Sequence, residues 1–263
     1  MMEACVISLG GSTRRSPCGD ALRSLGIGFS FFEAVCGAHM SPAERSRHYD
    51  ASGNQLRFKR PLSSAEIGCY VSHLRVWEYI ASRDAEAALV LEDDFLPAAC
   101  AKTFLQALST HDLSDVFVKI DGFDDKRPLL REDTVVRVGG VRVGIPRSIS
   151  GLTTGYVIGR NAARRMRLAR DRFFRPVDID LKFLWEHRVP VYATNDVIIR
   201  ENVGDGYASA IAGGRREMQS RNRLLRATKH YRFQCDYMLR HWLWKGNDGL
   251  IHPLKALDRG LEY

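Results

Sequence analysis

Along the first hundred residues, apolar runs suited to buried strands alternate with segments whose apolar positions recur at helical spacing. Ala4 to Leu9 predicts a strand and Gly10-Gly11-Ser12 a turn. Ser16-Pro17 to Leu25 predicts a helix with Ser16 as N-cap, Pro17 at its first position and Gly26 just past its end. Phe29 to Val35 predicts a second strand, and Ser41-Pro42 opens a short polar helix leading into a basic loop around 53 to 61. Ser63-x-x-Glu66 is a capping box, after which Ile67, Val71, Leu74, Trp77 and Ile80 predict an amphipathic helix to about Ser82. Ala87 to Leu91 is an apolar run that ends abruptly on Glu92-Asp93-Asp94, the way a buried central strand meets solvent at its carboxyl end. Val116 to Ile120 repeats the pattern and ends on Asp121, and Val135 to Ile145, with Gly139-Gly140 at its centre, predicts a hairpin. Thr153 to Ile158 is a further strand, Asn161 is placed to cap a basic helix to about Arg170, Pro176-Val177-Asp178 opens a helix to Trp185, and Val189 to Ala193 is a last strand. This alternation predicts one α/β domain over residues 1–205, followed by a basic, helical extension over 206–263.

Composition narrows the class. The 263 residues are 45% hydrophobic and 27% charged, which fits a soluble globular chain and excludes disorder and collagen-like repeats. No run approaches the roughly 20 apolar residues of a membrane-spanning helix, and the N-terminal segment lacks the basic start of a signal peptide, which predicts a cytoplasmic address. The 6 cysteines contain no Cys-x-x-Cys pair, which predicts buried, reduced thiols and no zinc or redox motif. The net charge of +8 is concentrated: Arg215, Arg216, Arg221, Arg223, Arg226, Lys229 and Arg232 stand against Glu217 alone. Such a patch attracts phosphate, whether in nucleic acid, an anionic membrane surface or a phosphorylated small molecule.

Chemistry concentrates at the strand end. Carboxylates two apart in an extended segment point the same way, so Glu92 and Asp94 can share Mg²⁺ or Mn²⁺ while Asp93 faces elsewhere. Such an ion stabilises a diphosphate leaving group; the plainer reading is a solvated acidic turn. His73, mid-helix, is either a satisfied half-buried histidine or a site residue. Asp178 and Asp180 open a helix, where a carboxylate caps free N–H groups or serves as a general base. Arg14 and Arg15 follow the first strand, where phosphate can be met, although Gly10-Gly11 lacks the spacing of a Rossmann or Walker loop.

Together these pieces carry a resemblance. Glu66-Ile67-Gly68-Cys69-Tyr70-Val71-Ser72-His73-Leu74-Arg75-Val76-Trp77, followed by Ala88-Leu89-Val90-Leu91-Glu92-Asp93-Asp94, resembles the signature of glycosyltransferase family 25, the lipopolysaccharide and lipooligosaccharide galactosyltransferases and their collagen-modifying relatives. Val6-Ile7-Ser8-Leu9 with Arg14-Arg15, Thr153 to Ile158, and Pro176-Val177-Asp178 match in order, so the resemblance covers about residues 4–200. It implies a GT-A-like nucleotide-diphospho-sugar transferase fold, with a mixed, mostly parallel sheet, flanking helices and an inverting displacement. On that resemblance Asp94, with Asp93 or Glu92, holds Mn²⁺ or Mg²⁺ on the donor diphosphate. Asp178 is the expected base, with Asp180 second. Arg14, Arg15, Glu66, His73, Asp93, Asp121 and Tyr156 form the expected donor-binding set. Gly10-Gly11 stands where many members have Asp-Arg, and Leu152 where Gly is frequent, which loosens the inference on base and sugar.

The expected function is metal-dependent transfer of a hexose, galactose from UDP-galactose, to a lipid-linked oligosaccharide acceptor in lipopolysaccharide or lipooligosaccharide synthesis. The expected place is the cytoplasm, peripheral on the inner membrane. There Arg215 to Arg232, with Tyr231, Phe233, Tyr237, Trp242 and Trp244 nearby, would meet an anionic surface; a packed C-terminal helix is the alternative for the same segment. A nucleic-acid-binding module would explain the charge but leave the acidic strand end without a role, so no nucleic acid is expected, and an inactive sugar-binding family member is the third reading. Oligomeric state is not legible.

Overall fold

Strand β1 (Glu3–Ser8), helix α1 (Arg15–Leu25) and strand β2 (Phe29–Glu33) open the computed structural model, which describes residues 2–122, 130–149, 151–204 and 223–245. β1 and β2 pair in parallel, with Ala4 opposite Phe29. Gly26, at φ 69°, closes α1 in the left-handed conformation that glycine adopts freely. Ser16 is not the cap: the helix begins at Arg15, with Arg14 at the cap position and no side-chain cap bond there.

Between β2 and the central strand lie α2 (Pro42–His48), α3 (Ala51–Arg57) and α4 (Ser64–Ser82). α3 occupies the stretch expected to be a basic loop, capped by Asp50, which accepts the Gly53 N–H at 2.9 Å. α2 and α4 both start on capping boxes, Ser41 with Glu44 and Ser63 with Glu66. Both are local devices that the residue types dictate. α4 runs so close to the chain leaving β2 that a Cβ on Gly68 would stand 2.4 Å from the Val35 carbonyl oxygen and 2.5 Å from the Gly37 nitrogen. Gly68→Ala is therefore expected to cost about 1–3 kcal/mol, read as a lower urea midpoint at an unchanged slope.

β3 (Ala87–Glu92) lies beside β1, followed by β4 (Phe95–Pro97), α5 (Ala101–Leu108), β5 (Phe117–Lys119) and the hairpin β6 (Val136–Val138) with β7 (Val141–Gly144). Gly139 and Gly140, at φ 53° and 84°, turn the hairpin with the two positive angles of a type I′ turn. β8 (Gly155–Gly159), α6 (Arg160–Ala169), α7 (Val177–Asp180), α8 (Leu184–His187), β9 (Val191–Thr194), β10 (Ile199–Glu201) and α9 (Arg223–Lys245) complete the order. Asn161 does not cap α6; Gly159 holds that position, and the Asn161 amide lies 3.4 Å from Asp115. The helix expected from Pro176 to Trp185 is two short helices, α7 and α8.

Eight strands form one sheet in the order β2-β1-β3-β8-β5-β9-β7-β6, with β7 and β8 running against the rest. This is the expected mixed α/β sheet, six of its eight strands running one way, with helices on both faces. Alternation along β3 divides two cores: Ala88 and Val90 face α4 and α6, while Leu89 and Leu91 face α1 and α5. α9 rests on the first core, with Phe233 buried 5.3 Å from the Phe58 ring centre and 5.9 Å from that of Phe183. No helix among the described residues is long and apolar enough to cross a membrane. Arg215, Arg216 and Arg221 lie outside the described residues.

Candidate functional site

The sheet delivers three carboxylates to one place. β3, buried along its length, ends on Glu92, and the turn after it carries Asp93 and Asp94. Asp93 is tied back: Ser8 and Ser12 donate to it at 2.6 and 2.9 Å, and Arg14 lies 3.5 Å away. Arg14 also reaches Asp94 at 3.4 Å. Glu92 and Asp94 instead line a cleft of about 110 Å³, together with Glu66, Cys69, residues 151–154, Pro176, Asp178 and Glu201.

Glu201 is the residue that sequence reasoning missed. The three-residue strand β10 pairs with β4, setting Glu201 opposite Phe95, and the Asn202 N–H donates to the Asp94 carbonyl oxygen at 2.6 Å. Its signal was weaker than that of β3 and β5: an apolar run, Val197-Ile198-Ile199, that meets Arg200 before it reaches the acid.

Electrostatics single out Asp94. Its Oδ1 is buried with no hydrogen-bond partner among the described residues. Burial, then Glu92 and Glu201, push its carboxyl up to about 7 against the pull of Arg14, with Asp93 adding to the rise. For Glu92, burial opposes ionisation, but His73 and Thr153 outweigh it and hold the carboxyl below its ordinary value; Thr153 Oγ1 donates to Glu92 at 2.5 Å. An unsatisfied buried carboxylate oxygen amid hard oxygen donors is chemistry that suits a divalent cation such as Mg²⁺ or Mn²⁺.

Asp178, half-buried, lines the same cleft from α7, where its Oδ1 accepts the Ile179 N–H at 2.9 Å. Asp180, two residues on, does not line the cleft. Arg170 donates to it at 2.6 Å, the Arg175 Nε at 2.7 Å and the Tyr70 hydroxyl at 2.5 Å, and it is 2% exposed. Burial pushes its carboxyl up, but Arg175 and Arg170 prevail and hold it far below the usual carboxylate range. The alternative base is thereby an element of architecture.

The expected donor-binding residues divide in the same way. Arg14 stands at the cleft's acids, whereas Arg15 is spent on the Ser8 carbonyl and hydroxyl oxygens and on Glu33. Glu66 reaches the cleft with its carboxylate forked by Arg60 at 2.6 and 2.7 Å and committed to the cap of α4. Tyr156 and Asp121 belong to the core, not the cleft wall. The Tyr156 ring stacks on Phe117, and its hydroxyl meets Trp77 Nε1 and His73 Nδ1, each at 2.8 Å. Asp121 is buried in an ion pair with Lys119 and accepts the Gly155 N–H at 3.2 Å. His73 is fully buried behind Glu92, its Nε2 3.6 Å from Glu92 Oε1. Of the cysteines, Cys5 and Cys18 are buried, Cys36, Cys69 and Cys100 are half-buried and Cys235 is exposed, so the expectation of buried thiols holds only in part.

Residues 1–180 match the family described as glycosyltransferase family 25 (LPS biosynthesis protein). Procollagen galactosyltransferase 1-B of Xenopus laevis is 34% identical over 110 residues, 41% of this chain and 18% of that one. A glycosyltransferase 25 family member of Aedes aegypti is 28% identical over 159 residues, 58% of this chain and 25% of that one. The chain thus spans about a quarter or less of these relatives' length. The lacto-N-neotetraose biosynthesis glycosyltransferase LgtE of Neisseria gonorrhoeae is 30% identical over 219 residues, 77% of this chain and 75% of that one. The match over residues 1–180 covers well over half of the chain, and by it the protein belongs to glycosyltransferase family 25.

Proposed function

We propose that the protein is an inverting, cation-dependent hexosyltransferase that moves galactose from UDP-galactose to a hydroxyl group of a lipopolysaccharide or lipooligosaccharide acceptor. One observation carries the reading: a single cleft is lined both by the strand-end carboxylates, with Asp94 Oδ1 buried and without a hydrogen-bond partner among the described residues, and by the half-buried Asp178 of α7. The galactosyl group is supported by the names of the procollagen relatives, and the acceptor class by the description of the family.

Asp94, with Glu92 and Glu201, would hold Mn²⁺ or Mg²⁺, which when bound neutralises charge on a departing diphosphate. In this reading Glu201 takes the place expected of Asp93, whose ties to Ser8, Ser12 and Arg14 make it a positioning residue. Arg14 offers its guanidinium to the donor phosphates. Asp178 accepts the proton of the acceptor hydroxyl as that oxygen attacks the anomeric carbon. The new C–O bond forms as the bond to the diphosphate oxygen breaks, UDP leaves with the electron pair, and a single displacement inverts the centre. α9, with Arg232 and exposed Tyr231, Met238 and Leu239, offers a surface to an anionic membrane carrying the acceptor.

The test is UDP release from a panel of UDP-hexoses with and without Mn²⁺, followed by transfer to lipooligosaccharide. Asp178→Asn is expected to lower transfer by about 10²–10⁴-fold while leaving UDP binding and the unfolding midpoint unchanged. Transfer at the wild-type rate would remove Asp178 as the base, and turnover indifferent to Mn²⁺ would overturn cation dependence.

A further inference from the structure

Beside the carboxylates of the cleft lies a second cluster of a different chemical character. Cys69 and His73 are four residues apart on α4, which places them on one face of the helix. The end of β3 brings Glu92 against them, and one ligand atom from each of the three lies within 4.8 Å of the others. We propose that Cys69, His73 and Glu92 form a site for a thiophilic divalent cation of the zinc class, set in the cleft wall and sharing Glu92 with the oxygen-donor set around Asp94.

Three observations support it. The first is His73 Nε2: the ring is buried, and this nitrogen has no hydrogen-bond partner among the described residues. It aims at Glu92 Oε1 from 3.6 Å, too far for a hydrogen bond. Two ligands on one tetrahedral zinc stand roughly 3.3–3.7 Å apart, so that spacing already suits a shared ion. The second is the surrounding shell. His73 Nδ1 meets the Tyr156 hydroxyl at 2.8 Å, a contact that fixes the orientation of the ring and the aim of Nε2. Thr153 Oγ1 donates to Glu92 and fixes that carboxylate. The third is the donor set itself, since thiolate with imidazole and carboxylate selects zinc-like ions over Mg²⁺ or Mn²⁺. Cys69 and Glu92 line the cleft, so the fourth position opens onto it. On binding, Cys69 gives its thiol proton to solvent and coordinates as thiolate. Glu92 is common to both sets, so an ion here withdraws it from the group around Asp94.

The site was not legible as a metal motif because its ligands form no paired Cys or His signature; the third ligand comes from a strand that only the tertiary fold brings up. The test is a Co²⁺ titration of the metal-stripped full chain, followed by displacement with Zn²⁺. The wild type is expected to develop a near-ultraviolet thiolate-to-cobalt band with intense visible bands of four-coordinate Co²⁺, and Zn²⁺ should abolish both. Cys69→Ser should lose the thiolate band and weaken Zn²⁺ binding by at least about 100-fold, and His73→Gln should lose the four-coordinate spectrum. Asp94→Asn and Cys235→Ser should keep both features. A wild-type chain with no thiolate band, or a band that persists in Cys69→Ser, overturns the site. Neither readout depends on sugar transfer, so failure here is distinguishable from failure of the transferase reading.

Discussion

Asp180→Asn is expected to destabilise the fold by about 3–5 kcal/mol, because it removes one partner of a buried ionic cluster and leaves the charge of the other unbalanced. Arg170 and Arg175 would keep only Glu186, which both already contact at 2.5 Å. For a domain of this size that is a fall of roughly 6–20 °C in Tm. The sign of the pH dependence follows from the depressed carboxyl: its stabilisation is fully present above the unfolded value of about 3.9 and is lost as pH falls through the folded value. Wild type and variant should therefore differ fully near neutrality, begin to converge below about pH 4 and meet only near the much lower folded value, so that urea unfolding at pH 3 shows a gap narrower than at pH 7 but not closed. A variant as stable as wild type but inactive would return Asp180 to the chemistry.

Asp94→Asn is expected to show the opposite pairing of effects. Its carboxylate is buried beside Glu92, Asp93 and Glu201 with one oxygen unpartnered among the described residues, so a neutral amide relieves repulsion and the folded state should be as stable as wild type or more so. Turnover should fall at least about 100-fold, on the scale of losing one preorganised electrostatic contact to a developing charge, and the response to Mn²⁺ should shift to higher concentration. UDP release across a Mn²⁺ titration, run beside thermal melts, reads both. Wild-type turnover in Asp94→Asn would sink the assignment of the strand-end acids to the donor diphosphate.

Legibility in the sequence followed the range of the interaction. Ser63 with Glu66, the left-handed Gly26 and the paired Gly139-Gly140 turn were readable because each is settled within a few residues by hydrogen bonding or by φ. β3 and its acidic end were readable because a fully buried strand must be apolar throughout and must stop where water begins. Asp178 and Asp180 carried the same local signal, two acids opening one helix, and residue type alone does not separate them. Arg170 and Arg175, delivered by the segment that follows α6, turn one inward and leave the other at the cleft. Tyr156 and Asp121 sat in the right stretches, yet strand alternation aims the first at Trp77 and His73, while Lys119 claims the second.

By itself the sequence determined the class of fold, the order of its principal elements and the strand end at which three acids gather, because periodicity, capping and turn chemistry act between near neighbours. Only the tertiary structure decided which carboxylates face the cleft, that Glu201 joins them from a strand more than 100 residues away, and that Cys69 and His73 meet Glu92. The physical reason is that a buried charge takes its orientation and protonation from whichever partners the fold brings within a few ångströms. Those partners come from elsewhere in the chain.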